Sequence, residues 1–176
     1  MSALARFFVA EGLFVAGYDK TSTRLTDKLI EEGIEISFED QDGIIPAEMF
    51  ENDALVVYTP AIPKENKVLN AFLAKGIKTY KRSEVLGIIS ESFNTVGVAG
   101  THGKTTTSSM IAHVLSGPDT GCNAFLGGIA SNYNSNLILN EDSDVCVVEA
   151  DEFDRSFLTL SPNICLLYTS PSPRDA

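Results

Sequence analysis

Tryptophan is absent from this 176-residue chain, cysteine occurs three times, histidine twice, and bases are scarce, with 13 Lys and Arg against 24 Asp and Glu. Each shortage removes a class of function. Cys122, Cys146 and Cys165 make an odd count without CxxC spacing, so neither a disulfide framework nor a thiolate metal site is expected, and a reducing cytoplasm fits best. A formal charge of −11 argues against holding nucleic acid by phosphate neutralisation, because that mode needs a basic stripe that releases counterions. No apolar run approaches the roughly 20 residues of a transmembrane helix. Acid and glycine interrupt the apolar N-terminal stretch, and no small-residue cleavage pattern follows a basic region, so no targeting signal is read. Internal repeats and low-complexity tracts are lacking too, although residues 168–176 are rich in Ser and Pro.

What remains is an ordinary globular composition, 44% hydrophobic, long enough for one large or two small domains. Helix and strand patterns alternate. Leu4, Phe7 and Phe8 mark a helix from Ser2 to Glu11 with Gly12 at its end, and Leu13 to Ala16 reads as a strand. Thr21 or Ser22 can cap a second helix running to Glu32 and Gly33, and Ile34, Ile36 and Phe38 alternate as the next strand. Ala54 to Tyr58 is a continuous apolar run of the kind buried on both faces of a sheet. Val68, Leu69, Phe72 and Leu73 line one helical face before Gly76, Ile77 to Tyr80 is a short strand, and a helix begins at Ser83 and runs to about Glu91. Residues 1 to roughly 90 therefore predict a parallel sheet with helices on both faces. In that arrangement a strand normally precedes the first helix, and its absence here points to a lost N-terminal strand.

A second alternating unit begins with the strand Thr95 to Ala99, followed by a tight loop, Gly100 to Gly103, and a helix, Lys104 to Leu115, with Thr107, Met110, Ile111, Val114 and Leu115 on one stripe. Asn123 to Leu126 reads as a strand, residues 127–140 as a loop rich in Gly, Asn and Ser, and Val145 to Val148 as a buried strand leading into Glu149. Gly127 and Gly128 allow a close backbone approach or form a plain turn. His113 is read as structural, and the cysteines as small buried hydrophobes.

Gly100-Thr101-His102-Gly103-Lys104-Thr105-Thr106 carries the strongest chemical signal. A loop between a buried strand and a helix aims backbone N–H groups and the positive end of the helix dipole at one spot, where an anion binds. Lys104 adds a full charge, and the Thr105 hydroxyl stands where nucleotide-binding loops place a magnesium ligand. The pattern is loose: the usual first glycine would fall at Val98, with Gly97 one residue further back. An ordinary glycine turn is the competing explanation. The second signal is acidic, with seven Asp and Glu and no base from Glu141 to Asp154. Glu149 follows a buried strand, so it falls on the rim where open α/β sheets bind ligands. A magnesium ion, which takes carboxylate, phosphate and water oxygens, suits that place, and a solvated acidic turn is the alternative. Residues 91–176 hold 10 acids against 3 bases, whereas residues 1–90 hold 14 against 10.

VAGTHGKTTT at 98–107, LGGIASNYNSN at 126–136 and VVEADEFDRSF at 147–157 resemble the Mur ligases, and MSALARFF, GYD, YTPAIP and KRSEVL extend the match over about residues 1–164. The resemblance implies a Rossmann-like, UDP-sugar-binding parallel-sheet domain over 1–92, lacking its first strand, and part of a P-loop ATP-binding α/β domain over 93–164. It implies ATP and Mg2+ as cofactors and ATP-dependent amide synthesis in cytoplasmic peptidoglycan assembly. In that chemistry ATP phosphorylates the lactyl carboxylate of UDP-N-acetylmuramate, and the amine of L-alanine attacks the acyl phosphate. By position, Gly100, Thr101, His102, Gly103, Lys104, Thr105 and Thr106 would form the ATP loop, with Lys104 and His102 catalytic and Thr105 and Glu149 on magnesium. His102, Asn132, Glu152 and Asp154 would face the sugar nucleotide or the amine, and Asp19, Thr59, Pro60 and Ala61 the UDP portion. Two departures stand out: the family's first strand and its glycine-rich turn are not found before MSALA, and residues 165–176 resemble nothing in the family. The chain is accordingly expected to be an inactive internal fragment with a non-native tail. A ligase adding a recycled peptide to the same sugar nucleotide, and a non-catalytic nucleotide-binding module, are the competing readings.

Overall fold

The computed structural model describes residues 1–41, 45, 47–50, 54–117, 120–150 and 157–167. The chain divides into two units, Met1–Arg82 and Ser83–Ala176.

In the first unit, α1 (Ser2–Ala10), α2 (Arg24–Glu31) and α3 (Lys67–Ala74) alternate with β1 (Ala16–Tyr18), β2 (Glu35–Ser37), β3 (Val56–Tyr58) and β4 (Thr79–Lys81). All three helices stop in one way. Gly12, Gly33 and Gly76 take φ of +79°, +92° and +71°, and the N–H after each reaches back to a carbonyl of the last turn: Leu13 to Phe8, Ile34 to Leu29 and Ile77 to Phe72. Only glycine enters that left-handed conformation without steric cost, so each glycine ends a helix and turns the chain toward the next strand. The reversal costs Leu13 and Phe14 their place in the sheet. Both are more than half exposed, and β1 starts at Ala16 rather than Leu13, because pairing begins where the Glu35 N–H reaches the Val15 carbonyl. The cap of α2 is Thr23, not Thr21 or Ser22. Thr23 and Thr26 each bond the other's backbone N–H, which closes a capping box, while the Thr21 N–H is taken by Asp19 Oδ1.

The expected parallel pairing is present, as two pairs: β1 with β2 and β3 with β4. Val56, Val57 and Tyr58 are consequently half-buried instead of covered on both faces. A cavity of about 410 Å³ borders both pairs, lined among others by Ala16, Tyr18, Ile36, Val57, Tyr58 and Phe72.

The second unit takes up α4 (Arg82–Glu91) from Ser83 onward, about ten residues before the boundary read from the sequence. Contacts explain the difference. Thr159 Oγ1 donates to the Ser83 carbonyl and Thr95 Oγ1 to the Ser90 carbonyl, and Gly87 packs so closely on the Thr159 carbonyl that a Cβ would overlap it. β5 (Asn94–Ala99), β6 (Asn123–Ala130), β7 (Ser135–Ile138), β8 (Val145–Ala150) and β9 (Ile164–Leu167) form one sheet of order β7-β6-β8-β5-β9. Only the β6–β7 pair is antiparallel among the pairings described.

Residues 127–140, read as a loop, instead continue β6 through Ala130 and return as β7 after a turn, with a register shift between Phe125 and Ala130. That hairpin buries Leu137 and Ile138. Residues 165–167, read as the start of a foreign tail, lie in β9, which Asn163 holds against β5 by accepting from the Thr95 N–H and donating to its carbonyl. Residues 168–176 lie outside the described ones.

Helix α5 (Lys104–Leu115) packs on the sheet over a core of Val98, Ala112, Cys122, Ala124, Leu126, Ile138 and Val147. Its buried residues are Ser108 and Ala112, whereas Met110 and Val114 are 64% and 76% exposed. The hydrophobic stripe holds at Ile111 and Leu115, which pack against this core, and fails at Met110 and Val114. Ser108 and Ala112 lie deepest against the sheet with Ile111 and Leu115 packed on the same core, because α5 lies close to β6 and β8.

Candidate functional site

β5 and β8 run parallel with Val98 opposite Glu149, so the chain leaving β5 and the last turn of β8 reach the same rim of the sheet. At that rim β5 gives way to Gly100, whose φ is +149°, and Gly103 follows at φ +77° as the N-terminal cap of α5. Gly103 has no side chain with which to cap that helix start. Its first-turn amides and dipole thus meet in the Gly100–Gly103 loop, the arrangement that binds an anion. Thr101 and His102 are exposed there, as are Thr105 and Thr106 at the start of α5. Lys104 Nζ donates to the Gly100 carbonyl at 2.8 Å, which folds the ammonium over the loop.

Glu149 is the acid the sheet brings to this loop. Its Oε2 accepts from Thr105 Oγ1 at 3.2 Å, and its Oε1 accepts from Ser108 Oγ at 3.0 Å and from the Gly127 N–H at 2.8 Å. The donor set fits a hard divalent cation. Oxygen ligands about 2.1 Å from a magnesium ion in octahedral geometry lie roughly 3.0 Å from their neighbours, close to the observed spacing of Thr105 Oγ1 and Glu149 Oε2. Phosphate oxygens held by the loop would supply further ligands. Among the described residues, no group of three or more His, Cys, Asp or Glu forms a metal site, so the mixed hydroxyl–carboxylate pair is what the fold offers.

Gly127 and Gly128 lie in β6 rather than in a turn, and what approaches the Gly127 backbone closely is the Glu149 carboxylate. A Cβ on Gly127 would overlap the Glu149 carboxylate, and one on Gly128 would lie 3.3 Å from Thr105 Cγ2. Ser108 and Gly127 were not read as site residues. The available signal was spacing: Ser108 stands three residues after Thr105 on a helix and so shares its face.

The remaining sequence-read residues are scattered. Asn132 is exposed in the β6–β7 turn, and Glu152 and Asp154 lie outside the described residues. In the first unit, Asp19 follows β1 and is exposed, and Thr59, Pro60 and Ala61 follow β3, where the Thr59 carbonyl accepts from Ile62 N–H. Both groups stand at carboxyl ends of parallel strands, the rim used for ligands in such sheets. His113, outside any ligand reading, is exposed with Nδ1 3.1 Å from Tyr133 Oη and the two rings edge to face. Among the described residues, no helix is long and apolar enough to cross a membrane.

Against known proteins, the family model described as Mur ligase family, catalytic domain matches residues 1–94, just over half the chain. The UDP-N-acetylmuramate--L-alanine ligase of Porphyromonas gingivalis is 52% identical over 174 residues, 98% of this chain and 38% of that protein. Among solved structures, UDP-N-acetylmuramate-alanine ligase from Thermotoga maritima matches with a TM-score of 0.83 at 29% identity, covering 95% of this chain and 38% of its own. UDP-N-acetylmuramate:L-alanyl-gamma-D-glutamyl-meso-diaminopimelate ligase from Neisseria meningitides matches with a TM-score of 0.81 at 28% identity, over 96% of this chain and 56% of its own. The chain thus spans well under half the length of the curated relative it matches.

Proposed function

The chain belongs to the Mur ligase family, and on that premise we propose that it carries the nucleotide-handling site of an ATP-dependent ligase joining L-alanine to UDP-N-acetylmuramate in the cytoplasm. The observation that carries the reading is the meeting of a carboxylate, Glu149, with the hydroxyl of Thr105 beside a glycine loop and its lysine. The name of a relative at 52% identity supports the substrates.

The loop amides from Gly100 to Gly103 and the first turn of α5 seat the β- and γ-phosphates, and Lys104 leaves the Gly100 carbonyl for them. Thr105 and Glu149 hold magnesium, which when bound offsets charge on the transferring phosphoryl group. A carboxylate is a poor electrophile. An oxygen of the lactyl carboxylate of UDP-N-acetylmuramate therefore first takes the γ-phosphoryl group, ADP leaving; the amine nitrogen then attacks the acyl carbon, phosphate leaves, and the nitrogen gives up a proton to solvent to yield the amide. His102, exposed in the loop, together with Asn132, Glu152 and Asp154, faces the sugar nucleotide or the amine. Asp19 with Thr59, Pro60 and Ala61 takes the UDP portion.

The test is phosphate release from ATP by the protein expressed to the full extent of its reading frame. Release should require both UDP-N-acetylmuramate and L-alanine, and should fall at least about 100-fold in Lys104→Ala and Glu149→Gln. Ligation undiminished in Lys104→Ala would instead mark a non-catalytic nucleotide-binding module. A preference for a peptide over L-alanine would favour the recycled-peptide reading, which the likeness to the Neisseria ligase supports.

A further inference from the structure

We infer that Ser108 and the Gly127 N–H are positioning groups that give the two oxygens of Glu149 separate tasks, anchoring Oε1 so that Oε2 and Thr105 Oγ1 face a cation together. This rests on the reading of Thr105 and Glu149 as magnesium ligands.

The two oxygens are held differently. Oε1 accepts two bonds, from the Ser108 hydroxyl at 3.0 Å and the Gly127 amide at 2.8 Å. Oε2 accepts from Thr105 Oγ1 at 3.2 Å, the longest of the three and the one made to the other would-be ligand. A cation entering between Thr105 and Glu149 replaces that contact and leaves both anchors in place.

Ser108 is not explained by its helix. A mid-helix serine ordinarily donates back to a carbonyl one turn earlier, and Ser108 does reach the Thr105 carbonyl at 3.1 Å. Alanine would serve the helix better. The side chain is nevertheless fully buried, and its single hydroxyl proton lies within reach of both that carbonyl and the Glu149 carboxylate; the charged acceptor makes the stronger bond and is the one that takes it. Gly127 answers from the opposite strand. Its amide reaches Oε1 because no Cβ stands in the way, and any side chain there would occupy the carboxylate's place. Two residues on α5 and β6 thus clamp an acid on β8.

The consequence is selective. Magnesium demands near-ideal octahedral geometry, and groups that orient a ligand typically change metal affinity 10- to 100-fold when removed. Ser108→Ala should therefore weaken metal binding while leaving metal-free nucleotide contacts to the loop unchanged.

Two measurements on the protein expressed over its full reading frame test this, with Ser108→Ala, Ser108→Thr and Glu149→Gln compared after circular dichroism shows each folded. Mn2+ affinity, read by electron paramagnetic resonance with ATP present, should fall about 10-fold in Ser108→Ala and return in Ser108→Thr, which keeps the hydroxyl. Without metal or nucleotide, the Gly127 amide should exchange with solvent several-fold faster in Ser108→Ala and in Glu149→Gln than in the parent. Wild-type Mn2+ affinity and wild-type Gly127 exchange in Ser108→Ala would overturn the inference. If Ser108→Ala fails to fold, Ser108→Cys, of similar shape and a far weaker donor, replaces it with the same expected losses. Unaltered Mn2+ affinity in Glu149→Gln would sink the magnesium reading itself, whereas Gly127 exchange still decides whether Ser108 anchors the carboxylate.

Discussion

Among the described residues, the first unit divides four strands into two pairs, whereas the second gathers five into one sheet. Burial follows the difference. The buried apolar residues of the first unit, Ala3, Leu4, Leu29, Ile34 and Phe72, all lie on helices or at a strand's approach, and no residue of β1 to β4 is fully buried. In the second unit the strands themselves are the core, with Val98, Ala124, Leu126, Cys146, Val147 and Val148 at 2% exposure or less. A carboxylate can be aimed to within tenths of an ångström only from a strand that cannot shift, because close-packed interiors transmit small displacements. Glu149 has such a strand beneath it. Asp19 and Thr59 follow strands that border a cavity.

The largest expected effect tests that contrast directly. Leu126→Ala, deep in the five-stranded sheet at 1% exposure, should cost about 2–5 kcal/mol of unfolding free energy. Val57→Ala, on half-buried β3, should cost only about 1 kcal/mol. Urea denaturation followed separately for each unit by hydrogen exchange gives both numbers. Equal losses would break the comparison and mean that the strand pairs of the first unit carry as much of its stability as the continuous sheet does of the second.

A smaller effect concerns the thiols of that sheet. Burial, reinforced by Cys122 nearby, pushes the Cys146 thiol from its ordinary 9.0 to about 12, and burial raises Cys122 as well. The folded state therefore keeps protons that the unfolded chain releases. Stability from this source is complete below pH 9 and falls as pH rises toward 12. The decline should reach about 1–2 kcal/mol by pH 10, and Cys146→Ala should flatten it even though the variant is less stable at neutral pH. An unchanged slope would show that the decline has another origin. Cys165, exposed on β9, should meanwhile react with a thiol reagent in the native state well before the two buried cysteines.

The same contrast explains what could be read from the sequence. Helix stops were legible, since Gly12, Gly33 and Gly76 act through local backbone geometry and need no knowledge of neighbours. The strand–loop–helix turn at Gly100 to Lys104 was legible for the same reason: strand, glycines, lysine and helix are consecutive. Pairing was not. Gly127 and Gly128 looked like a loop because composition reports flexibility and says nothing of a carboxylate 22 residues away that needs the room. The face of α5 was legible only at Ile111 and Leu115; hydrophobicity ranks Met110 and Val114 above Ser108, while close packing on the sheet also selects for size. Glu149 was found from its place after an apolar strand, yet its partners came from two other elements, and only the folded sheet assembles them.

The smallest effect lies in the first unit and isolates a local device from the sheet altogether. Thr23 caps α2 and shares a reciprocal pair of bonds with Thr26: the Thr26 N–H donates to Thr23 Oγ1 at 3.2 Å, and the Thr23 N–H donates to Thr26 Oγ1 at 2.7 Å. Thr23→Ala removes the first of these and leaves the Thr26 amide without its cap acceptor, so it should cost about 0.5–1 kcal/mol. Thr23→Ser, which keeps the hydroxyl, should cost little. Because α2 contributes Leu29 to the first unit's core, the loss should appear as faster exchange across α2 and β2, with the amides of β5 and β8 unaffected. Faster exchange in both units would show that they unfold together, and the division at Arg82 and Ser83 would then be one of packing rather than of stability.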